Sequence, residues 1–320
     1  MQTFDRLVTV YGGSGFVGRH VVRALARRGF RVRVAVRRPD LAGHLQPLGA
    51  VGQINAVQAN LRYPDSVRHA AEGAEIVINC VGIMHETGRQ KFDAVQARGA
   101  ETVARAAAEA GAKLIHVSAI GADAEGEALY ARSKAAGEAG VLRQQPGAVI
   151  LRPSVIFGPE DDFFNRLAAM ARMLPVLPLI GGGTTRFQPV FVGDVADAVM
   201  AAIDGKTTAG TVYELGGPAV KTFKEVVEFV LETIGRKRLL MSLPFGLAAF
   251  QAKFLQYVPG APLTPDQVKL LKSDSVVSAG ASADGRTLEG LGIGPKSIEA
   301  IAPSYLWRFR RHGQFTEQAQ

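Results

Sequence analysis

The nine residues "VYGGSGFVG" (10–18) decide the fold, because they place four glycines between an apolar run and a helical pattern. The apolar residues before the glycines predict a strand, and a helix is predicted to begin at about Phe16. Gly12, Gly15 and Gly18 recur at three-residue spacing, as in loops whose backbone amides bind a pyrophosphate at a helix start. The stretch therefore predicts the first βα turn of a dinucleotide-binding sheet.

Glycine is needed at each of the three positions for a different physical reason. Gly12 permits the tight turn, Gly15 lets a phosphate approach where a side chain would block it, and Gly18 allows the helix to pack closely on the strand. The alternative interpretation is a turn with a purely structural role. The repeating pattern that follows favours the dinucleotide site.

Short apolar runs alternate with helical patterns through the first half of the chain. The predicted strands are Leu7–Tyr11, Arg31–Val36, Asn55–Ala59, Glu75–Val81, Lys113–Ser118 and Ala148–Leu151, and the clearest helices between them are Phe92–Ala110 and Leu129–Gln144. Strands and helices in alternation indicate a parallel sheet covered on both faces. The sequence therefore predicts an α/β protein with a Rossmann-type doubly wound parallel sheet in residues 1–152.

Beyond Arg152 the pattern changes to connections rich in proline and glycine. Helices are predicted over Phe163–Met173, Val192–Ile203 and Thr222–Gly235. We expect residues 153–320 to be a mixed segment that returns to the core and forms a smaller C-terminal lobe. Its most apolar stretch, Leu239–Gly260, contains too many prolines, glycines and polar residues to cross a bilayer alone. It is either a buried helix of the lobe or a face that contacts a membrane or a membrane protein.

The composition excludes several classes of protein. The net charge is +8 and nine arginines lie in the first forty residues, but aromatic residues are not interleaved with them as in nucleic-acid binders, so no nucleic-acid partner is expected. A solvated helix face, an acidic partner or an anionic membrane surface can explain them. One cysteine, Cys80, excludes an internal disulfide, and the six histidines show no metal-ligand spacing, so no metal is expected. The first strand leaves no room for a signal peptide, which favours a bacterial cytoplasm.

The end of the second predicted strand distinguishes between cofactors. A site for NAD has an acidic residue about 20 positions after the glycines, whereas a 2′-phosphate requires a cation. Here Arg37 and Arg38 take that place, and the first carboxylate, Asp40, comes after Pro39. A guanidinium can bind a phosphate through two hydrogen bonds, so this strand end favours NADP(H). Solvent-exposed arginines without a ligand are the alternative.

Candidate catalytic residues lie in "SAIGADAEGEALYARSKAAGE" (118–138). Ser118 ends a predicted strand, and Tyr130 and Lys134 share one face of the next helix because they are four residues apart. An ammonium beside a phenol is expected to lower the phenol's pKa, which would allow proton exchange with a substrate alcohol. Ser118 could hydrogen-bond the same substrate oxygen.

Together with the glycine loop, these three residues resemble the serine, tyrosine and lysine of the short-chain dehydrogenase/reductase superfamily. The second half is similar to an atypical branch that contains the NADPH-binding accessory subunit of respiratory complex I, the NADH:ubiquinone oxidoreductase. The residues that carry this likeness are Glu160, Asp161, Phe163, Phe164, Asn165, Gln188, Pro189, Val190 and Asp194, with "YLWRFRRHGQF" (305–315) near the C-terminus.

The resemblance implies a tightly bound NADPH, complex I subunits near the quinone-binding region as partners, peripheral membrane contact, and a location on the cytoplasmic side of the bacterial inner membrane. The residues expected to bind the cofactor are Gly12, Ser14, Gly15, Phe16, Val17, Gly18, Arg37, Arg38, Asn60, Leu61, Val81, Gly82, Ser118, Tyr130, Lys134, Pro153 and Ser154. Asn60 stands where an aspartate near the adenine is common, and Gln96 stands where an asparagine often supports the tyrosine. These two differences from the superfamily pattern are expected to affect proton transfer at the tyrosine more than they affect cofactor binding.

Two further functions remain open from the sequence. One is a free NADPH-dependent reductase or epimerase that uses Tyr130 and Lys134, and the other is a binding module that reports the NADPH state to a partner. His85 and His116 near strand ends are interpreted as structural residues. The acids of Glu160–Asp162 are interpreted as solvated or as caps of the next helix.

Overall fold

The computed structural model describes residues 6–258 and 263–311 of the 320-residue chain. Its contacts divide the chain into two compact units. The first unit comprises residues 6–153, 193–215 and 278–293, and the second comprises residues 154–192, 216–258, 263–277 and 294–311. Each unit is therefore assembled from separate stretches of chain.

The secondary-structure elements are as follows. The strands are β1 (Leu7–Tyr11), β2 (Arg31–Val36), β3 (Ile54–Gln58), β4 (Ile76–Asn79), β5 (Lys113–Val117), β6 (Val149–Pro153), β7 (Ile156–Phe157), β8 (Val176–Ile180), β9 (Arg186–Phe187), β10 (Val190–Phe191), β11 (Val212–Leu215), β12 (Lys221–Thr222) and β13 (Leu239–Leu243). The α-helices are α1 (Phe16–Arg27), α2 (Pro64–Ala71), α3 (Arg98–Glu109), α4 (Leu129–Gln144), α5 (Phe163–Met173), α6 (Val192–Ile203), α7 (Phe223–Thr233), α8 (Phe245–Leu255), α9 (Pro265–Leu270), α10 (Ala279–Ala283), α11 (Ile298–Ile301) and α12 (Pro303–Leu306).

The first unit is built on a seven-stranded sheet in the order β11-β6-β5-β4-β1-β2-β3. Every neighbouring pair in it is parallel. The central strands β1 and β4 are mostly apolar and are buried apart from the partly exposed Leu7, because helices cover both faces of a parallel sheet. The predicted Rossmann-type doubly wound sheet is confirmed, and its order reverses at β1, where a cofactor crevice is expected.

The helix predicted over Phe92–Ala110 begins differently from the prediction. Residues Asp93–Ala97 form a π-helical turn, and the regular helix α3 starts only at Arg98. Here α4 approaches so closely that a β-carbon on Gly137 would lie 2.2 Å from the carbonyl oxygen of Gln96. The bulge therefore brings Gln96 against α4 and aims its side chain inward, as such bulges often do near functional sites.

In the second unit a buried carboxylate joins the two motifs that carried the likeness in the C-terminal half. Asp161 accepts hydrogen bonds from the backbone N–H groups of Gly158 at 3.1 Å and Phe164 at 2.6 Å, and from the hydroxyl of Tyr305 at 2.7 Å. Nearby, Arg308 donates to the side-chain oxygen of Asn165 at 2.6 Å. Asp161 thus caps the start of α5 and holds the C-terminal segment on it.

The apolar stretch Leu239–Gly260 is not a single helix. It forms the strand β13 and then α8, and Gly260 lies outside the described residues. Of α8, Ala248 and Ala252 are fully buried, whereas Phe250 and Phe254 are exposed. Of the two alternatives, the buried helix holds for the alanine side of α8 but not for Phe250 and Phe254, which leave an exposed apolar face. Among the described residues no helix combines the length and the apolar character that a bilayer crossing requires.

The role of Asp161 can be measured by its removal. Asp161→Ala leaves buried donors from three residues without their acceptor, so we expect the free energy of unfolding to fall by about 3 kcal/mol in urea denaturation. Asp162→Ala, at the exposed neighbouring carboxylate, is the matched control and should change it by less than about 0.5 kcal/mol. Equal effects of the two substitutions would contradict the capping role.

Candidate functional site

The glycine loop between β1 and α1 has the geometry of a phosphate-binding turn. Gly12 has a φ of +75°, and the N–H of Gly15 donates to the carbonyl oxygen of Gly12 at 3.0 Å. A β-carbon on Gly18 would lie 2.2 Å from that same oxygen and 2.6 Å from the α-carbon of Gly13. Gly18 is therefore required for the close packing of α1 on the loop, as the sequence predicts.

The start of α1 is open to an anion. Gly15 is the N-cap residue, is exposed and has no side chain with which to cap, and the first turn contains no acidic residue. Ser14, Phe16 and Val17 are partly exposed around it. The backbone N–H groups at this positive end of the helix dipole are suited to a pyrophosphate.

Most predicted cofactor residues lie at one edge of the sheet. The glycine loop follows β1, Arg37 and Arg38 follow β2, Asn60 and Leu61 follow β3, Val81 and Gly82 follow β4, Ser118 follows β5, and Pro153 ends β6. The carboxyl ends of parallel strands meet at the same edge, which is where α/β sheets bind their ligands. Ser154 belongs to the second unit, where its hydroxyl donates to the carbonyl oxygen of Ser275 at 2.6 Å.

The arginine pair at the end of β2 is solvent-exposed. Arg38 donates to a carboxylate oxygen of Asp40 at 2.9 Å, and this contact holds the pKa of Asp40 below its usual range. The pKa of Arg38 is raised by the same hydrogen bond, so the guanidinium remains charged. Two cations therefore stand at the strand end where an NAD site has an acid.

The three candidate catalytic residues lie together in the first unit. Lys134 is buried, its ammonium nitrogen Nζ donates to the carbonyl oxygen of Val117 at 3.4 Å, and it lies 5.9 Å from the ring centroid of Tyr130. Ser118 is also buried, and no hydrogen-bond partner for its Oγ exists among the described residues. A buried hydroxyl rarely stays unpaired, so this oxygen is suited to bond a ligand.

The protonation states differ from the sequence prediction. Burial raises the pKa of Tyr130 to about 12, so the expected lowering by Lys134 is wrong for this geometry. Burial lowers the pKa of Lys134 to about 8, although Glu138, one turn later on α4, opposes that shift. At neutral pH Tyr130 is therefore a neutral phenol that can donate a hydrogen bond, and most Lys134 side chains are charged. The pair is better suited to hold a polar ligand than to remove a proton.

Gln96 and Asn79 support this site through contacts that were not predicted from the sequence. Gln96 accepts from the N–H of Ile83 at 3.0 Å and donates to Ser133 at 2.9 Å, which joins the loop after β4 to α4. Asn79 accepts from the N–H of Val81 at 3.1 Å and pairs with Nδ1 of His116 at 3.2 Å. A polar residue that ends a buried apolar strand, as Asn79 does, is the one signal that could have revealed the second contact.

The residues that were not taken as catalytic, His85, His116 and Cys80, differ in their surroundings. His85 is exposed, and burial raises the pKa of the Cys80 thiol to about 12, so that thiol is no nucleophile at neutral pH. His116 is buried, and burial together with the nearby Lys134 charge lowers its pKa to about 3. The described part of the chain contains no cluster of three histidine, cysteine or acidic side chains that could hold a metal ion.

A glycine-lined turn, an open helix start and a Tyr-Lys pair at the carboxyl edge of a parallel sheet define a nucleotide-binding protein of the Rossmann class. A family model described as the NAD dependent epimerase/dehydratase family matches residues 8–216, and the chain belongs to that family. The "NADH dehydrogenase [ubiquinone] 1 alpha subcomplex subunit 9, mitochondrial" of Arabidopsis thaliana is 35% identical to it, over 96% of this chain and 79% of the plant protein. The Mus musculus protein of the same name is 32% identical, over 96% of this chain and 81% of the mouse protein.

Two other similar proteins have different names. A "Ceramide reductase" of Caulobacter vibrioides is 34% identical over 74% of each chain. The crystal structure of the NADPH-dependent quinone oxidoreductase QOR2 with NADPH from Escherichia coli superposes with a TM-score of 0.73, at 20% identity, over 94% of this chain and 99% of that one. At that identity the likeness to QOR2 shows the fold alone.

The buried His116 predicts how stability depends on pH. Its pKa in the folded state, about 3, lies below the ordinary value near 6.5, so below pH 6.5 the unfolded chain takes up a proton that the folded chain does not. Between pH 7.5 and pH 5 the wild-type free energy of unfolding should therefore fall by about 2 kcal/mol more than that of His116→Gln. Urea denaturation across this range measures the difference.

The matched control for this prediction is His85→Gln, which removes an exposed histidine. It should show the same pH dependence as the wild type. Parallel curves for the wild type and His116→Gln would exclude His116 as the titrating group.

Proposed function

We propose that the chain is an NADPH-binding accessory subunit of a membrane-bound NADH:ubiquinone oxidoreductase, with a cofactor that is structural or regulatory rather than turned over. One observation carries the proposal: relatives named as subunits of this NADH dehydrogenase align with 96% of the chain, its C-terminal half included. The contacts of Asp161 and Asn165 with the C-terminal segment explain why the motifs of that half occur together.

The cofactor would be held by the carboxyl edge of the sheet in the first unit. The N–H groups at the start of α1 would bind its pyrophosphate, and Tyr130 and Lys134 would hydrogen-bond the ribose next to the nicotinamide. The exposed N-cap residue Gly15, which has no side chain to block a phosphate, and the unpaired hydroxyl of Ser118 fit such a ligand. When bound, NADPH supplies a hydride.

Arg37 and Arg38 support NADPH over NADH as the ligand. Both side chains are exposed at the end of β2, and Asp40, the first acid after them, is already bonded to Arg38. A carboxylate held by a guanidinium is a poor acceptor for the 2′-hydroxyl of NADH, whereas the two cations attract a 2′-phosphate.

Two properties of the site favour retention of the cofactor over turnover. Burial raises the pKa of Tyr130 to about 12, so it is a poor general base for the oxidation of an alcohol at neutral pH, although the neutral phenol can still donate a proton in a reduction. Gln96 occupies the position expected to support the tyrosine, but both ends of its amide are already bonded, to Ile83 and Ser133. Its amide therefore serves the fold around the site.

We place the chain at the periphery of the membrane, on the cytoplasmic side of the bacterial inner membrane, with subunits near the quinone-binding region as its partners. Two relatives are named as subunits of a mitochondrial NADH dehydrogenase, which supports a partnership with subunits of such a complex. The exposed apolar residues of α8 support a contact beyond the chain itself.

Cofactor choice is tested at the arginine pair. Removing both cations in Arg37→Ser/Arg38→Ser should weaken NADPH binding at least about tenfold and leave NADH binding within about twofold, because NADH has no 2′-phosphate. Isothermal titration calorimetry with both nucleotides measures this. Arg23→Ser, on the exposed side of α1, is the matched control and should bind NADPH like the wild type. Equal losses for both nucleotides would contradict the assignment.

The subunit role is tested by affinity purification of the tagged chain from detergent-solubilised membranes. Subunits of the NADH:ubiquinone oxidoreductase should co-purify, together with about one NADPH per chain, and mass spectrometry and nucleotide analysis detect both. The Tyr130→Phe variant should still co-purify with the subunits. Recovery of the chain without any of those subunits would reject the role.

A free NADPH-dependent reductase is the second candidate. The intact set of Ser118, Tyr130 and Lys134 favours it, as does the similarity to the ceramide reductase. Two results together would identify the reductase. The purified wild type should reduce a ketone, and Tyr130→Phe should abolish this activity while its affinity for NADPH stays unchanged. These results would favour an enzyme over an accessory subunit.

A further inference from the structure

The second unit exposes an unusual amount of apolar side chain along α8. Phe250 is 59% exposed and Phe254 is 64% exposed, and the two rings contact each other edge to face with 5.4 Å between centroids. Leu247 is also exposed, and after the helix Tyr257 and Val258 continue the pattern. We call these five residues the apolar face.

The helical period places the three residues of the apolar face that belong to α8 on one side of that helix. Leu247, Phe250 and Phe254 follow each other at intervals of three and four residues, which puts them on one side of a helix. Ala248 and Ala252, on the other side, are buried in a core with Leu243. The helix thus buries small alanine side chains and exposes three large apolar ones, whereas an ordinary surface helix turns its large apolar side chains toward the core.

The charges around this segment are positive. From Leu239 to Val258 the one charged residue is Lys253, and the three residues before Leu239 are Arg236, Lys237 and Arg238. The pKa of Arg236 is lowered by burial and by the nearby charges of Arg238, Arg311 and Arg172. We call these four arginines the arginine cluster. At its edge Met173 and Leu174 are exposed as well.

We propose that the apolar face of α8 inserts into the surface of an anionic lipid bilayer, with the arginine cluster and Lys253 binding the lipid phosphates. Interfacial helices combine aromatic and leucine side chains with flanking lysine and arginine in this way. The inference deepens the peripheral location proposed above, since it names the surface and the lipid class. It concerns the chain by itself and requires neither the cofactor nor the other subunits.

A second copy of this chain suits the surface less well. An 11-residue helix is about 16 Å long, so its exposed side offers far less than the roughly 800 Å² per partner of a stable interface. Two copies would also bring two arginine clusters together, which repel each other. A bilayer avoids both problems, because the aromatic rings enter the acyl boundary one helix at a time and the phosphates neutralise the arginines.

The experiment is flotation of the purified full-length chain with lipid vesicles. We expect partition into vesicles of phosphatidylcholine with phosphatidylglycerol, and at least about tenfold weaker partition into phosphatidylcholine alone. Phe250→Asp/Phe254→Asp should lower partition into the anionic vesicles at least about tenfold, and Arg172→Gln/Arg311→Gln, at two exposed members of the arginine cluster, should lower it severalfold. Leu41→Asp/Val51→Asp, at exposed apolar residues of the first unit, is the matched control and should float like the wild type.

Insertion is measured separately with a fluorescent probe on the apolar face. The chain has a single tryptophan, Trp307, which gives the background signal. In Phe254→Trp, lipids brominated on the acyl chains should quench the added fluorescence, whereas the wild-type signal should change much less. Quenching only by bromines in the headgroup region would overturn insertion.

Three further results overturn the proposal: failure of the wild type to float, flotation of Phe250→Asp/Phe254→Asp equal to that of the wild type, or a wild-type dimer in sedimentation equilibrium that this variant no longer forms. The dimer result would assign the apolar face to a second copy of this chain. The lipid proposal and the subunit role can fail separately. If the chain binds vesicles but no subunits co-purify with it, the subunit role is rejected and the lipid-binding surface is retained.

Discussion

The contact between Gly18 and the carbonyl oxygen of Gly12 is the constraint on which the first unit depends. A single added carbon at Gly18 would lie 2.2 Å from that oxygen, so α1 can follow β1 this closely only without a side chain there. The close approach fixes where α1 starts and therefore where its unpaired N–H groups point. The phosphate site is in this sense a consequence of how one helix packs on one strand.

Local pattern was enough to predict six of the seven strands of the sheet, whereas β11 was not predicted. The bounds of β1, β2, α4, α5 and α6 agree with their predicted ranges, because each is a buried apolar run or an amphipathic period ended by a glycine or a proline. The π-helical turn at Asp93–Ala97 could not be predicted, because it lies where Gln96 packs against Gly137, 41 residues later in the sequence. A local pattern of residues does not record such a tertiary contact.

The candidate site shows the same limit in its electrostatics. The residue types and their spacing predicted that Ser118, Tyr130 and Lys134 lie together. They did not predict whether burial or the neighbouring charge would dominate the pKa values of these groups. Burial dominates for both Tyr130 and Lys134, so the pKa of the phenol rises where the spacing alone predicts a fall. Likewise, the acids at 160–162 could not be told apart by sequence, yet one of them, Asp161, is the buried acceptor that holds the C-terminal segment.

The discontinuity of the first unit has a consequence for how the protein is made. Its seventh strand, β11, pairs with β6, and Glu214 of that strand accepts from the N–H of Ser278 at 2.7 Å, so the sheet is completed by chain that leaves the ribosome long after the first six strands. Until then β6 is an open sheet edge, the kind of surface that pairs with other chains. The nascent protein must therefore wait with a hydrogen-bonding edge exposed, which makes the interval between residues 153 and 212 the stage of synthesis most in need of a chaperone.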